Sequence, residues 1–102
     1  MRSKRRIPEE RLERAAVCLR ALAHPLRLRI VEILDSEDLS VTDLAERLRQ
    51  PQAAVSQHLN LMKAHGLLRS ERHGRSVHYR LLHPQCRQVL QCIRKNLDSK
   101  GL

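Results

Sequence analysis

The chain has 102 residues, and its 20 Lys and Arg against 11 Asp and Glu give a formal net charge of +9 at pH 7. Hydrophobic residues make up 41% of the chain but aromatic residues only 1%, since Tyr79 is the single Phe, Tyr or Trp. This composition predicts one small basic domain with an aliphatic core. Its positive charge favours duplex DNA as the partner over a membrane surface or an acidic protein. RNA and single-stranded DNA are disfavoured, because proteins usually stack their bases on aromatic side chains.

The N-terminal third predicts a basic arm and two helices. Residues 1–8 read as a flexible arm, because four Lys and Arg residues precede Pro8. The first helix starts at Glu9, and its apolar residues Leu12, Ala16, Leu19 and Ala23 fall on one stripe. Pro25 opens a second helix to about Leu34, since proline fits a first helical turn. Its predicted inward residues are Leu26, Ile30, Ile33 and Leu34, with Arg27 and Arg29 facing water.

The next two predicted helices are separated by a short turn. The segment from Ser40 to Asp43 has the form of a capping box, which predicts a third helix to about Leu48. A fourth helix spans about Gln52 to His65, and Gly66 stands where a left-handed residue ends a helix. Its predicted buried stripe consists of Val55, Leu59 and Met62. Two amphipathic helices joined in this way predict a helix-turn-helix at about residues 41–65.

After Gly66 the apolar period changes from helical to alternating. The runs 67–72 and 76–81 predict two strands joined at His73, Gly74 and Arg75, with Val77, Tyr79 and Leu81 inward. Pro84 opens a last helix with an apolar stripe. The predicted fold is therefore mainly α (α+β): four helices, a β-hairpin wing at about 67–82 and a fifth helix, which is a winged helix-turn-helix. One domain spans 9–98 and is followed by a tail at 99–102.

The first and fifth helices carry apolar stripes that a domain of this size cannot fully cover. We therefore expect a homodimer through these two helices. A two-fold dimer would present two recognition helices to an operator with two-fold symmetry.

The fourth helix carries the predicted base-reading residues, because the second helix of such a unit enters the major groove with its N-terminal residues toward base edges. Gln bonds adenine, Ser donates or accepts, and Ala contacts the thymine methyl. The alternative is that these side chains only solvate the helix, and for His58 that it packs inward. The candidate DNA-binding residues on this helix are Gln52, Ala53, Ser56, Gln57, His58 and Asn60.

The predicted wing supplies a second, basic surface. Its phosphate or minor-groove candidates are Arg72, His73 and Arg75, at the tip of the hairpin. An acidic group collects around the start of the third helix, and we expect it to face away from DNA. This group consists of Asp35, Glu37, Asp38, Asp43 and Glu46.

Several stretches together resemble the ArsR/SmtB family of bacterial transcriptional repressors. They are Leu19-Arg-Ala-Leu-Ala-His-Pro-Leu-Arg-Leu-Arg-Ile30, Asp43-Leu-Ala-Glu, Gln52-Ala-Ala-Val-Ser-Gln-His-Leu59, His65-Gly-Leu-Leu68 and Gly74-Arg-Ser-Val-His-Tyr-Arg-Leu81. The match covers about residues 15–82. The resemblance implies a homodimeric winged-helix repressor that leaves its operator when a metal, metalloid or redox signal arrives.

The sensing sites of the family do not carry over intact. Its Cys-Val-Cys metalloid motif aligns with Ser40-Val41-Thr42, and the cysteines of its persulfide sensors align with Glu32 and about Asp98. Its zinc-type site on the last helix aligns with His83, Gln85, Asn96 and Ser99, of which only His83 is a metal-binding residue type.

Three cysteines remain as candidates for a signal. Cys18, Cys86 and Cys92, with His83, are the candidate metal or metalloid ligands, and thiolates would suit arsenite, zinc or cadmium. Cys86 and Cys92 cannot share one ion on a regular helix, because six residues give about 9 Å of rise and roughly 120° of rotation. The alternative is that Cys86 packs as a small hydrophobe in the dimer interface and that His83 only caps the helix.

Other classes find no support. No apolar run is long enough for a membrane span, the N-terminus lacks the apolar stretch of a secretory signal, and no catalytic motif is present. We therefore expect a cytoplasmic, nucleoid-associated protein that is not an enzyme. The competing hypotheses are an effector-independent repressor, a non-specific architectural DNA-binding protein, and a protein-interaction module.

Overall fold

The computed structural model describes residues 5–98, apart from the side chains at 97 and 98. The elements follow in the predicted order: α1 (Glu9–Leu22), α2 (Pro25–Ser36), α3 (Val41–Leu48), α4 (Gln52–Ala64), β1 (Leu68–His73), β2 (Ser76–Leu81) and α5 (Pro84–Asp98). The predicted winged helix-turn-helix order is confirmed. Residues 1–4 of the predicted arm and the predicted tail at 99–102 lie outside the described residues. Within 5–98, no helix is both long and apolar enough to cross a bilayer.

A single aliphatic cluster holds all seven elements together. The predicted stripe of α4 is confirmed, since Val55, Leu59 and Met62 are each 0% exposed. Burying one such side chain contributes about 1.5–3 kcal/mol, so this stripe fixes the orientation of α4 and thereby which residues it presents outward. The other elements contribute Leu22, Ile30, Leu44, Leu68, Tyr79 and Leu90, among others.

The apolar stripe predicted on α1 is not the face that packs on the core of the single chain. The helix packs on the core through Cys18, Ala21 and Leu22, whereas Leu12 and Leu19 are each 46% exposed. Small side chains at Cys18 and Ala21 let the α1 backbone approach the core, and the larger leucines then point away from it. Periodicity identifies an apolar stripe but not the surface that covers it.

Helix α2 begins as predicted but differs in two details. His24 caps it, because its Nδ1 accepts a hydrogen bond from the Leu26 amide at 3.1 Å, and the helix continues to Ser36, two residues past the predicted end. Arg29 is exposed as predicted, but Arg27 is half-buried and does not face water. Its guanidinium bonds the carbonyl of Ala21 and the ring of His58, so it joins α2 to α1 and to α4.

The hairpin β1–β2 is antiparallel, with Tyr79 opposite Ser70 and Val77 opposite Arg72. Gly74, at φ 63°, and Arg75 form its two-residue turn. An isolated backbone bridge joins Ser40 to His78, so β2 also pairs with the residue that caps α3. The hairpin is therefore attached to the helix-turn-helix as well as to itself.

Candidate nucleic-acid interface

Helix α4 presents a polar N-terminal half to solvent. Gln52, Ala53 and Gln57 are exposed and Ser56 is half-buried. The turn before α4 is set by Arg49, which adopts the left-handed conformation at φ 56° and whose amide donates to the carbonyls of Ala45 and Glu46. Ser40 begins α3 as predicted, its Oγ accepting from the Asp43 amide at 3.1 Å. The predicted base-reading residues Gln52, Ala53, Ser56 and Gln57 therefore lie together on one open surface.

His58 lies at the other side of α4 and is engaged within the protein. Its Nδ1 accepts a hydrogen bond from Arg27 Nε at 3.1 Å, and its ring centroid is 4.6 Å from that of His24. Burial, and then the charges of His24 and Arg27, lower the pKa of His58 below its ordinary value of 6.5. The geometry thus favours the packing alternative for His58. Sequence patterns do not indicate Arg27 as its partner, because 31 residues separate the two.

Asn60 is likewise held by another element. Its Oδ1 accepts a hydrogen bond from the Tyr79 hydroxyl at 3.0 Å. Burial raises the pKa of Tyr79 above 10.0, so this hydroxyl keeps its proton and remains a donor at neutral pH. Asn60 therefore links α4 to the wing.

The wing carries its unpaired cations at the tip. Arg72, His73 and Arg75 are exposed as predicted. Within residues 5–98, Arg72 and Arg75 have no ion-pair partner, whereas Lys63 of α4 donates to Ser70 at 2.9 Å. Because side chains alternate along a strand, Arg72 shares a face of β1 with Ser70, the face toward α4.

The opposite face of the hairpin carries a closed set of contacts, which we call the ionic ring: Asp38, Glu71, His73, His78 and Arg80. Arg80 bonds both Glu71 and Asp38 at 2.9 Å. His78 Nδ1 donates to Asp38 at 2.8 Å and His73 Nε2 lies 3.2 Å from Glu71. The rings of His73 and His78 stack with centroids 4.5 Å apart, which closes the set.

The carboxylates of the ionic ring are held in their charged form. The hydrogen bond from His78, followed by the charge of Arg80, lowers the pKa of Asp38. The hydrogen bond from Arg80 does the same to the pKa of Glu71. At neutral pH the ring thus contains two carboxylates and one guanidinium.

The acidic group predicted near α3 is mostly paired rather than a free surface. Asp35 binds Arg87 of α5 at 2.7 Å, and Glu37 binds Arg47 through both carboxylate oxygens at 2.8 and 2.9 Å. Asp38 contacts the wing, which the sequence did not predict, because its partners lie 40 and 42 residues away. Asp38 is therefore a structural partner of the wing.

The cysteines do not assemble a metal site within one chain. Cys86 is 0% exposed in the core of the single chain, which corrects its predicted place in a dimer interface, and its Sγ faces the Leu67 carbonyl at 4.0 Å. Burial raises the pKa of Cys86 to about 11, so its thiol stays protonated at neutral pH. Cys18 is also buried, whereas Cys92 is exposed. His83 caps α5, accepting from the Gln85 amide.

Within the part of the chain that the structure describes, the residues of one chain therefore do not fit an ion with three protein ligands. Across residues 5–98, no three His, Cys, Asp or Glu side chains are close enough together to hold a metal.

Comparison with known proteins agrees with this arrangement. A helix-turn-helix domain family matches residues 22–71. The transcriptional repressor SmtB of Mycobacterium tuberculosis is 47% identical over 74 residues; the match covers 72% of this chain but only 55% of that repressor.

Two solved structures share the fold over nearly the whole chain. HlyU of Vibrio cholerae, a transcriptional activator, is 31% identical with a TM-score of 0.80, covering 86% of this chain and 96% of that one. The antimony-specific transcriptional repressor AntR is 28% identical with a TM-score of 0.82, covering 98% and 94%.

Proposed function

Because this chain belongs to the ArsR/SmtB family of winged helix-turn-helix transcriptional regulators, we propose that it is a repressor that binds duplex DNA sequence-specifically and is not an enzyme. The observation that carries the proposal is the N-terminal half of α4. Its open surface is formed by Gln52, Ala53, Ser56 and Gln57, while the apolar stripe of the same helix is fully buried in the core. The functional unit is the single domain at 9–98, which works on DNA in the cytoplasm.

In this proposal the N-terminal half of α4 enters the major groove. Gln52 and Gln57 have the amide groups that bond adenine, Ser56 donates or accepts, and Ala53 offers a methyl group to thymine. His58 and Asn60 act differently, because the half-buried His58 is bonded to Arg27 and the exposed Asn60 accepts a hydrogen bond from Tyr79. They position α4 rather than read bases.

The wing supplies phosphate or minor-groove contacts. Arg72 and Arg75 are exposed and lack an ion-pair partner among residues 5–98, so binding a phosphate breaks no existing pair. His73 stands beside them but also contacts Glu71 at 3.2 Å. Contacts of this kind fix register without reading sequence.

The protein acts as a homodimer in this proposal. Leu12 and Leu19 are each 46% exposed on one side of α1, and Leu82, just before α5, is 55% exposed. A second copy that covers these side chains removes apolar surface from water and creates a two-fold axis. The operator would then carry two half-sites related by the same symmetry.

Selection from a random duplex library tests this function and identifies the operator in the same experiment. We expect repeated rounds of binding to enrich one motif with two-fold symmetry, which then binds far more tightly than a shuffled duplex of equal length. A pool that stays random, with equal affinity for all duplexes, would contradict sequence-specific repression and favour the architectural alternative. No binding at modest salt would favour the protein-interaction module.

A thiophilic ion, such as arsenite, zinc or cadmium, remains a candidate effector, because AntR is described as antimony-specific. In this chain such a site would need Cys92 or a cysteine from a second copy, since Cys18 and Cys86 are buried. The DNA complex is titrated with arsenite, Zn(II), Cd(II) and an oxidant, in the wild type and in a triple Cys→Ser variant. Release lost in the variant supports a thiol signal; no release by any of them supports the effector-independent repressor.

A further inference from the structure

The wing needs support from outside itself to hold one orientation. It is a hairpin of two six-residue strands, and an isolated two-stranded hairpin is at best marginally stable in water. On the face toward α4, the Tyr79–Asn60 hydrogen bond provides one support. On the other face the ionic ring and the Ser40–His78 bridge connect β2 to the segment between α2 and α3.

The charges of the ionic ring do not favour the long-range electrostatic attraction between the protein and DNA. The carboxylates of Asp38 and Glu71 lie beside the wing, which carries the cations proposed to contact DNA, and they neutralise the charge of Arg80. A negative charge on the protein near the phosphate backbone weakens the attraction between the protein and DNA. The side chains of Asp38 and Arg80 are 45% and 38% exposed, and ion pairs this exposed add little to stability. Neither stability nor long-range attraction therefore accounts for the ring, whereas its geometry does.

We propose that Asp38 and Glu71 are positioning residues for DNA binding, which hold the wing through Arg80, His78 and His73 so that Arg72 and Arg75 meet the DNA backbone. The inference rests on the proposed function. Asp38 anchors the ring to the helix-turn-helix, because it lies between α2 and α3. Glu71 anchors the ring within the hairpin, because it also binds Arg69 at 3.0 Å.

Asp38→Ala tests the proposal, because loss of a charge and loss of wing orientation should change DNA affinity in different directions. Removing a negative charge alone should leave DNA affinity equal or slightly higher, whereas loss of wing orientation should weaken operator binding roughly fivefold, as for one lost charge-assisted contact. Glu46→Ala is the matched control, because Glu46 is an exposed acid on α3 without an ion-pair partner among residues 5–98. Its affinity should equal or exceed that of the wild type.

A double-mutant cycle shows whether Asp38 acts through the wing. If it does, adding Asp38→Ala to a variant that lacks both wing cations, Arg72→Ala/Arg75→Ala, should weaken binding by less than twofold beyond that variant alone, since coupled residues are non-additive. The slope of affinity against salt should also flatten in Asp38→Ala, because a phosphate contact is lost. Asp38→Asn gives the same comparison with a side chain of equal size, should the alanine variant fold poorly.

The outcomes separate this inference from the function on which it rests. A wild-type protein that selects an operator, with Asp38→Ala binding as tightly as Glu46→Ala, overturns the positioning role alone. Full additivity of Asp38→Ala with the combined Arg72→Ala/Arg75→Ala change overturns it as well. A wild-type protein without sequence preference overturns both the proposed function and this inference.

Discussion

The hydroxyl of Tyr79 donates a hydrogen bond to Oδ1 of Asn60 at 3.0 Å, so the single aromatic residue of the chain joins the wing to the recognition helix. Tyr79 is 9% exposed, and its ring therefore packs in the core while its polar end reaches α4. This contact fixes the distance between the two elements proposed to touch DNA.

Tyr79→Phe should remove this link with little change in packing. We expect the free energy of unfolding to fall by about 1 kcal/mol, the net value of a typical hydrogen bond, measured by urea unfolding at neutral pH. Asn60→Ala should cost a similar amount, and the double variant should cost clearly less than the sum of the two. Strict additivity would show that the two side chains do not interact.

Substitutions of Gln57 and Arg75 should affect DNA binding in different ways. Gln57→Ala should reduce discrimination between the operator and its single-base variants by about 1–3 kcal/mol at one position, because a bidentate base contact is lost. Arg75→Ala should weaken binding to every duplex and reduce the salt slope by about 1. Fluorescence anisotropy with operator and shuffled duplexes at several salt concentrations measures both. Uniform loss in both variants would contradict the assigned roles.

His58 should make stability decrease as the pH is lowered through the ordinary histidine pKa of 6.5. Burial, His24 and Arg27 lower its pKa in the folded protein below 6.5, so near this pH the unfolded chain binds more protons than the native one. Stability is therefore full above the ordinary pKa and falls as pH falls toward the lowered value. Protonation of Nδ1 would also break the hydrogen bond from Arg27.

Urea unfolding at several pH values measures this dependence, and His58→Gln serves as the control. The variant lacks only this imidazole, so the wild type should lose more stability than the variant over the same range. Asp38 and Glu71 also have lowered pKa values, but these change the stability only below about pH 4.5, outside the range measured for His58. Parallel curves for the two proteins would show that His58 makes no contribution.

Leu12 and Leu19 should hold the dimer together. Leu19→Asp should raise the dimer dissociation constant by roughly two orders of magnitude, because each of two symmetry-related leucines, 46% exposed in the single chain, loses about 1 kcal/mol of burial and each aspartate adds the cost of desolvating a charge. Sedimentation equilibrium measures the change. Ser36→Asp is the control, since it adds the same charge at an exposed position at the end of α2. A monomeric wild type, or equal dissociation constants for both variants, would contradict the proposed interface.

The sequence by itself determined the elements and their order. Apolar spacing, the Ser40 cap, Gly66 at φ 76° and the turn at Gly74 act within a few residues, so their consequences can be read along the chain. The same local pattern predicted the buried stripe of α4 and its open polar face. It also supported the family resemblance, which comparison with known proteins confirmed.

Only the tertiary structure decided which partners those elements meet. Arg27 and His58 are 31 residues apart, and Asp38 and Arg80 are 42 apart, so no local pattern links them. The covered face of α1 and the burial of Cys86 likewise depend on which neighbouring surface lies closest after packing. Hydrophobic burial is non-directional, so it specifies that a stripe is covered, whereas the assembled fold determines what covers it.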